Sequence, residues 1–153
     1  MARPCRSRFP PTSPARWNFI RGAVVSIAVS FDVARHAHRP IELYGSDGAM
    51  SVPDPNWLGG QIETATASDA NWQLRTTEHP YANGNFRIIG VADMAHAIRS
   101  GRPHRASGAL ALHVLEVMEA FETSSQTGAF VAIASRPERP AMIAVDIAFG
   151  ALD

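Results

Sequence analysis

The densest set of chemically capable side chains lies in the stretch Glu78-His79-Pro80-Tyr81, followed by Arg87. It brings an imidazole, a phenol and a guanidinium together within ten residues. Pro80 and Gly84 mark the stretch as a loop. Loops carried on rigid scaffolds often hold function, so His79, Tyr81 and Arg87 are the candidate substrate-binding residues. An ordinary polar connection is the alternative reading. His36 and His38 sit two apart, a spacing that on a strand points both rings to one face and can begin a metal site. Arg35 and Arg39 flank the pair and repel a cation, so no metal ligand set is assigned. His96 and His113 fall on helical patterns and read as packed or surface residues. No Ser-His-Asp or Cys-His arrangement has supporting context.

Composition removes further chemistry. All 14 basic residues are Arg, so no lysine is present to form a Schiff base, act as a general acid or hold a phosphate in a P-loop. The one cysteine, Cys5, supports neither an internal disulfide nor a cysteine metal cluster. A dinucleotide site needs a glycine-rich turn between a strand and a helix N-terminus. Gly45-Ser46-Asp47-Gly48 joins two strand patterns instead, and no helix follows Gly59-Gly60. No catalytic or cofactor-binding residue is therefore assigned. Formal net charge is zero, which implies no nucleic-acid or membrane partner. No stretch reaches the roughly 20 apolar residues of a membrane span, and the expected location is cytoplasmic.

These residues need elements to position them. Residues 1–15 are rich in Arg, Pro and Ser without period and read as a disordered leader. A secretory signal is the sharper alternative, but its apolar run comes late and ends at Asp32. Three hairpins follow, over 17–33, 41–52 and 61–76, giving a predominantly antiparallel sheet. Val25, Ile27, Val29 and Phe31 alternate with smaller residues, and Asp47-Gly48 supplies turn chemistry.

Two helices are predicted next, over 91–100 and 107–127. The first points Val91, Met94, Ala95 and Ile98 inward and stops at Gly101. The second, with Ser107 as its cap and Gly128 past its end, carries a stripe of Leu110, Val114, Val117, Met118 and Phe121. Such a stripe must be buried against a neighbour. A closing strand over 130–133 and a surface tail over 136–153 complete the pattern. The expected fold is α+β, with both helices on one sheet face and a main domain over 16–135.

Several segments, in order, carry a family resemblance. Ser30-Phe31-Asp32-Val33, Pro40-Ile41-Glu42-Leu43-Tyr44-Gly45-Ser46-Asp47-Gly48 and Ser51-Val52-Pro53-Asp54-Pro55-Asn56 resemble the C-terminal domain of Gfo/Idh/MocA oxidoreductases. The stretch GVADMAHAIRSGRPHRASGALALHVLEVMEA and the tail with Arg139-Pro140 and Leu152-Asp153 resemble the same domain. The resemblance implies an antiparallel sheet with helices on one face, the other face serving a sugar or polyol pocket and a subunit interface. NAD(P) is bound in the complete enzymes by a Rossmann domain that has no counterpart here. The family's Glu-Lys-Pro motif and its catalytic His are also missing. The resemblance thus implies a truncated substrate and oligomerisation domain that binds no cofactor alone, is not catalytic alone, and forms a homo-oligomer through its sheet face. A stand-alone binding or assembly module for a sugar-like ligand or partner chain is the other reading.

Overall fold

A computed structural model describes residues 12–19, 22–30, 32–57, 59–82 and 84–152. Strand β1 (Thr12–Asn18) pairs antiparallel with β2 (Val24–Ser30), in a register that sets Trp17 opposite Val25 and Ala15 opposite Ile27. The turn between them closes through the Gly22 N–H on the Phe19 carbonyl at 2.9 Å, with Gly22 at φ 88°. Only glycine takes that left-handed conformation without strain. The strand begins at Thr12, inside the span read as a leader; the rest of that leader, with Cys5, lies outside the described residues.

The other strands form a separate four-stranded antiparallel meander in sequence order: β3 (Ile41–Tyr44), β4 (Ala49–Val52), β5 (Ile62–Ala65) and β6 (Gln73–Arg75). Its first turn crosses Gly48 beside β5. A Cβ at Gly48 would stand 2.4 Å from the Ala65 carbonyl oxygen, so glycine is required by that approach. The β5–β6 turn is closed by Asp69, whose carboxylate accepts from the Thr66 N–H at 2.6 Å and its hydroxyl at 2.9 Å. These bonds, the backbone one first, hold the Asp69 carboxyl below its ordinary range.

Helix α1 (Ile89–Ser100) ends at Gly101, φ 72°, and α2 (Gly108–Thr127) ends at Gly128, φ 67°. Ser107 Oγ accepts the Leu110 N–H at 3.2 Å, the expected N-cap. The fold is α+β with mostly antiparallel sheet, as the patterns predict. The hairpins build two sheets rather than one, and 130–133, expected as a strand, belongs to no sheet among the described residues. The chain divides into two units: Met1–Ala37 with Leu112–Arg136, and His38–Ala111 with Pro137–Asp153.

The helix faces differ from expectation. In α1 the buried residues are Asp93 and Ala97, while Val91, Met94 and Ile98 stay exposed. The helix therefore turns a carboxylate inward, and among the described residues no strand packs broadly against it. In α2 the expected stripe is split. Leu110, Val117 and Phe121 are half-buried, and Phe121 stacks on Trp17 of β1 with ring centroids 5.1 Å apart and planes 3° apart. Val114 and Met118 are exposed.

This division sets an expected outcome. Phe121→Ala removes a stacked, half-buried ring and should cost about 1–3 kcal/mol. Val114→Asp, at an exposed position, should stay within about 0.5 kcal/mol. Urea unfolding followed by tryptophan fluorescence checks both, and equal losses for the two variants would contradict the packing.

Candidate functional site

The second unit is tied together by one buried carboxylate. Asp93, 3% exposed, sits mid-way along the inner side of α1. Its Oδ1 accepts from Arg102 Nη2 at 2.8 Å and from the Arg105 guanidinium, and its Oδ2 accepts from the Arg105 N–H at 2.7 Å. Arg105 also donates from Nε to the Ala141 carbonyl at 2.8 Å and from Nη1 to that of Leu152 at 3.2 Å. Arg102 and Arg105 are brought there by the turn at Gly101 and Pro103 that ends α1. Burial alone would raise the Asp93 carboxyl. The hydrogen bonds from the Arg105 backbone and both guanidinium groups outweigh it and hold the group below its usual range.

The tail, drawn in by Arg105, closes over the loop that follows β6. Met142 is exposed, yet Leu152 is buried at 3%, so the tail is anchored rather than merely laid along the surface. The Tyr81 hydroxyl donates to the Ala151 carbonyl at 2.8 Å and accepts from the Gly150 N–H at 3.0 Å. His79 Nδ1 accepts the Tyr81 N–H at 3.1 Å, which places the neutral ring's proton on Nε2, 3.2 Å from the Ile143 carbonyl. Phe86 meets the Tyr81 ring edge-on at 5.2 Å, and Phe149 lies 5.6 Å from Tyr81. A Cβ at Gly84 would stand 2.9 Å from the Phe86 ring, so this glycine lets the ring fold back.

Between this loop, the start of α1 and the tail lies an open cleft of about 650 Å³. Tyr81, Phe86, Ile88, Ile89, Ala92 and Leu152 form its apolar lining, with Asn85, Arg87 and His96 as polar members. Two of the three candidate ligand residues, Tyr81 and Arg87, border it. Arg87 is fixed from its side by two bonds from Nη2 to Asn56, 2.8 Å to the carbonyl and 2.9 Å to Oδ1. His79 lies behind Tyr81, with both ring nitrogens on backbone groups, and acts as a brace. The cleft offers aromatic and aliphatic surface with a guanidinium, an amide and an imidazole at its margins. That combination suits binding and orientation of a small polar molecule.

By sequence pattern alone His96 is a packed or surface residue of a helix. Its place beside the cleft follows from the i, i+3/i+4, i+7 series Ile88/Ile89, Ala92 and His96, which lies on one helix face. Leu152 carries no such signal, because its position depends on a tail without period.

A second cluster joins α2 to the segment after it in the first unit. Glu116 Oε1 accepts the Ala134 N–H at 2.6 Å, Oε2 accepts the Ser135 N–H at 3.0 Å, and His113 Nδ1 lies 2.7 Å from Ser135 Oγ. The Ser135 hydroxyl first, then the two N–H groups, hold the Glu116 carboxyl below its ordinary range. A hydrolytic triad needs the carboxylate on the histidine and free N–H donors near the serine. Here the carboxylate occupies those donors, so the cluster is a clasp. Among the described residues no group of three His, Cys, Asp or Glu could hold a metal ion.

The Asp93 hub generates a pH-dependent expectation. Asp93→Ala leaves two partly solvated guanidinium groups facing a void and should cost about 3 kcal/mol at pH 7, the low end for breaking a buried pair. Because the folded carboxyl is held below the unfolded value of about 3.9, its contribution is full above that value. It is lost as pH falls through the folded value. The gap between wild type and Asp93→Asn in urea titrations should therefore narrow from pH 7 to pH 3; a constant gap would contradict the depressed carboxyl. No protein-family model, no curated protein and no solved structure matches this chain.

Proposed function

We propose that this chain is a non-catalytic substrate-binding and assembly domain of the Gfo/Idh/MocA type, holding a sugar-like polyol in the cleft beside Tyr81 and Arg87. The observation that carries this reading is the pairing of a ring-lined floor with polar side chains at its margin. A sugar ring presents an apolar C–H face and a rim of hydroxyl groups. The Tyr81 and Phe86 rings suit the first, and Arg87, Asn85 and His96 suit the second.

The family resemblance supplies the reaction class of the complete enzymes, an NAD(P)-dependent oxidation of a sugar or polyol. In this chain the proposed role stops at holding the substrate. The cofactor would be held by the glycine-rich turn and helix N-terminus of a Rossmann domain. The lysine of the family's motif has no substitute among 14 arginines. A homo-oligomer through the sheet face and a cytoplasmic location belong to the same proposal. No helix among the described residues is long and apolar enough to cross a membrane.

A stand-alone assembly module is the second reading, and the open edge of the meander favours it. Every residue of β3 is exposed, with Leu43 at 53% and Tyr44 at 76%. Unpaired edges invite a partner strand.

Titration with myo-inositol and glucose, followed by NMR shifts, tests the first reading. Binding on the order of millimolar is expected, with shifts at Tyr81 and His96, and Arg87→Ala should weaken it at least about fivefold. Absence of saturable shifts at the cleft would overturn the polyol assignment. NADH and NADPH added alone should give no saturable micromolar binding; a saturable response would overturn the assignment of the cofactor to another domain.

A further inference from the structure

We infer that the ligand of the cleft carries an oxyanion, a carboxylate or a phosphate group, beside its sugar-like ring; this rests on the polyol reading above and names the substrate class within it. The cleft lies wholly in the second unit. Its polar margin holds Asn85, Arg87 and His96, and no acid among the described residues. The first turn of α1, which forms one side, is acid-free as well. Arg87 is the permanent positive charge of this margin, and what holds it is neutral. Both bonds from Nη2 go to Asn56, at 2.8 Å to the carbonyl and 2.9 Å to Oδ1, and no carboxylate among the described residues pairs with the guanidinium. An arginine clamped by uncharged acceptors keeps its full charge, and its side chain is ordered before any ligand arrives.

Donor and acceptor accounting selects the anion. The Tyr81 hydroxyl donates to the Ala151 carbonyl and accepts the Gly150 N–H, so its bonding is satisfied inside the protein. Asn85 Oδ1 accepts the Arg87 N–H at 3.4 Å, and no acceptor among the described residues takes the two amide N–H donors of Asn85. The same holds for Nε and Nη1 of Arg87, whose bonds to Asn56 both leave from Nη2. Where these residues meet the cleft, donors therefore outnumber acceptors. A sugar hydroxyl both gives and accepts a hydrogen bond, so a neutral polyol finds few acceptors here. A carboxylate or phosphate group only accepts, and its bonds to a guanidinium are charge-assisted. The Tyr81 and Phe86 rings take the apolar face of the same ligand, and Arg87 and Asn85 take the oxyanion at its rim.

Glucose, glucuronate and glucose 6-phosphate, each titrated into the full chain and followed by NMR shifts at Tyr81 and His96, test this. At least one of the two anions should bind about fivefold tighter than glucose in low salt, the scale of a charge-assisted bond screened by water in an open cleft. The tighter of the two identifies the group as carboxylate or phosphate. At about 1 M sodium chloride, where the screening length is about 3 Å, the preference should shrink. Arg87→Gln removes the charge and keeps an amide, and should abolish the preference; Arg87→Lys should retain part of it. Asn85→Asp, which can still accept the Arg87 N–H but sets a carboxylate at the margin, should weaken the anions and not glucose. Glucose bound as tightly as both anions, or a preference that survives Arg87→Gln, would overturn the oxyanion and leave the polyol reading in place. No saturable shift with any of the three ligands would overturn that reading itself.

Discussion

A carboxylate buried in a helix must find cations, and Asp93 shapes the second unit through that demand. Unpaired, it would cost several kcal/mol of lost hydration. Two guanidinium groups and a backbone N–H answer it, all from the turn after α1. The turn is held against the helix that precedes it. Arg105 also donates to the Ala141 and Leu152 carbonyls, which draws in the tail. With the tail in place, Gly150 and Ala151 meet the Tyr81 hydroxyl, and the cleft acquires its rear wall. A charge satisfied in one helix is transmitted to a loop more than ten residues away through hydrogen bonds to backbone.

The first unit solves a related problem with different groups. Its hairpin offers a face of Trp17, Val25 and Ile27, and Phe121 covers Trp17. The segment after α2 joins no sheet among the described residues, and its Ala134 and Ser135 N–H groups are met by Glu116 instead. In both units polar groups hold irregular backbone where regular pairing is absent, as buried or half-buried donors require. Apolar burial is sparse beside this: among the described residues only Ala97 and Leu152 are buried hydrophobics. Hydrophobic side chains stay exposed on β3, at Leu43 and Tyr44, and on α2, at Leu112, Leu115 and Met118.

The cleft combines both features. Its floor is apolar and its margins polar, but the polar groups nearest the floor are largely committed. Tyr81 presents its ring rather than its hydroxyl, and His79 supports the loop from behind. The cleft presents ring surface, with Arg87, Asn85 and His96 at its margins.

Elements whose causes are local can be read from neighbouring residues. Ser107 starts α2, and Gly101 and Gly128 end α1 and α2, at the expected positions, because capping depends on a few adjacent residues; α1 starts two residues before the expected Val91. The second and third hairpins follow from period-2 runs and turn residues. The loop with Tyr81 and Arg87 was marked by composition. Tertiary structure alone decided which faces turned inward. Periodicity pointed Val91, Met94 and Ile98 of α1 to the core, yet Asp93 and Ala97 are buried, because Arg102 and Arg105 compensate the charge. Periodicity ranks side chains by hydrophobicity and cannot register an ion pair made across a turn. For the same reason the split stripe of α2, the brace at His79 and the wall at Leu152 were not legible. Each depends on a partner distant in sequence whose position is set only once the chain has folded.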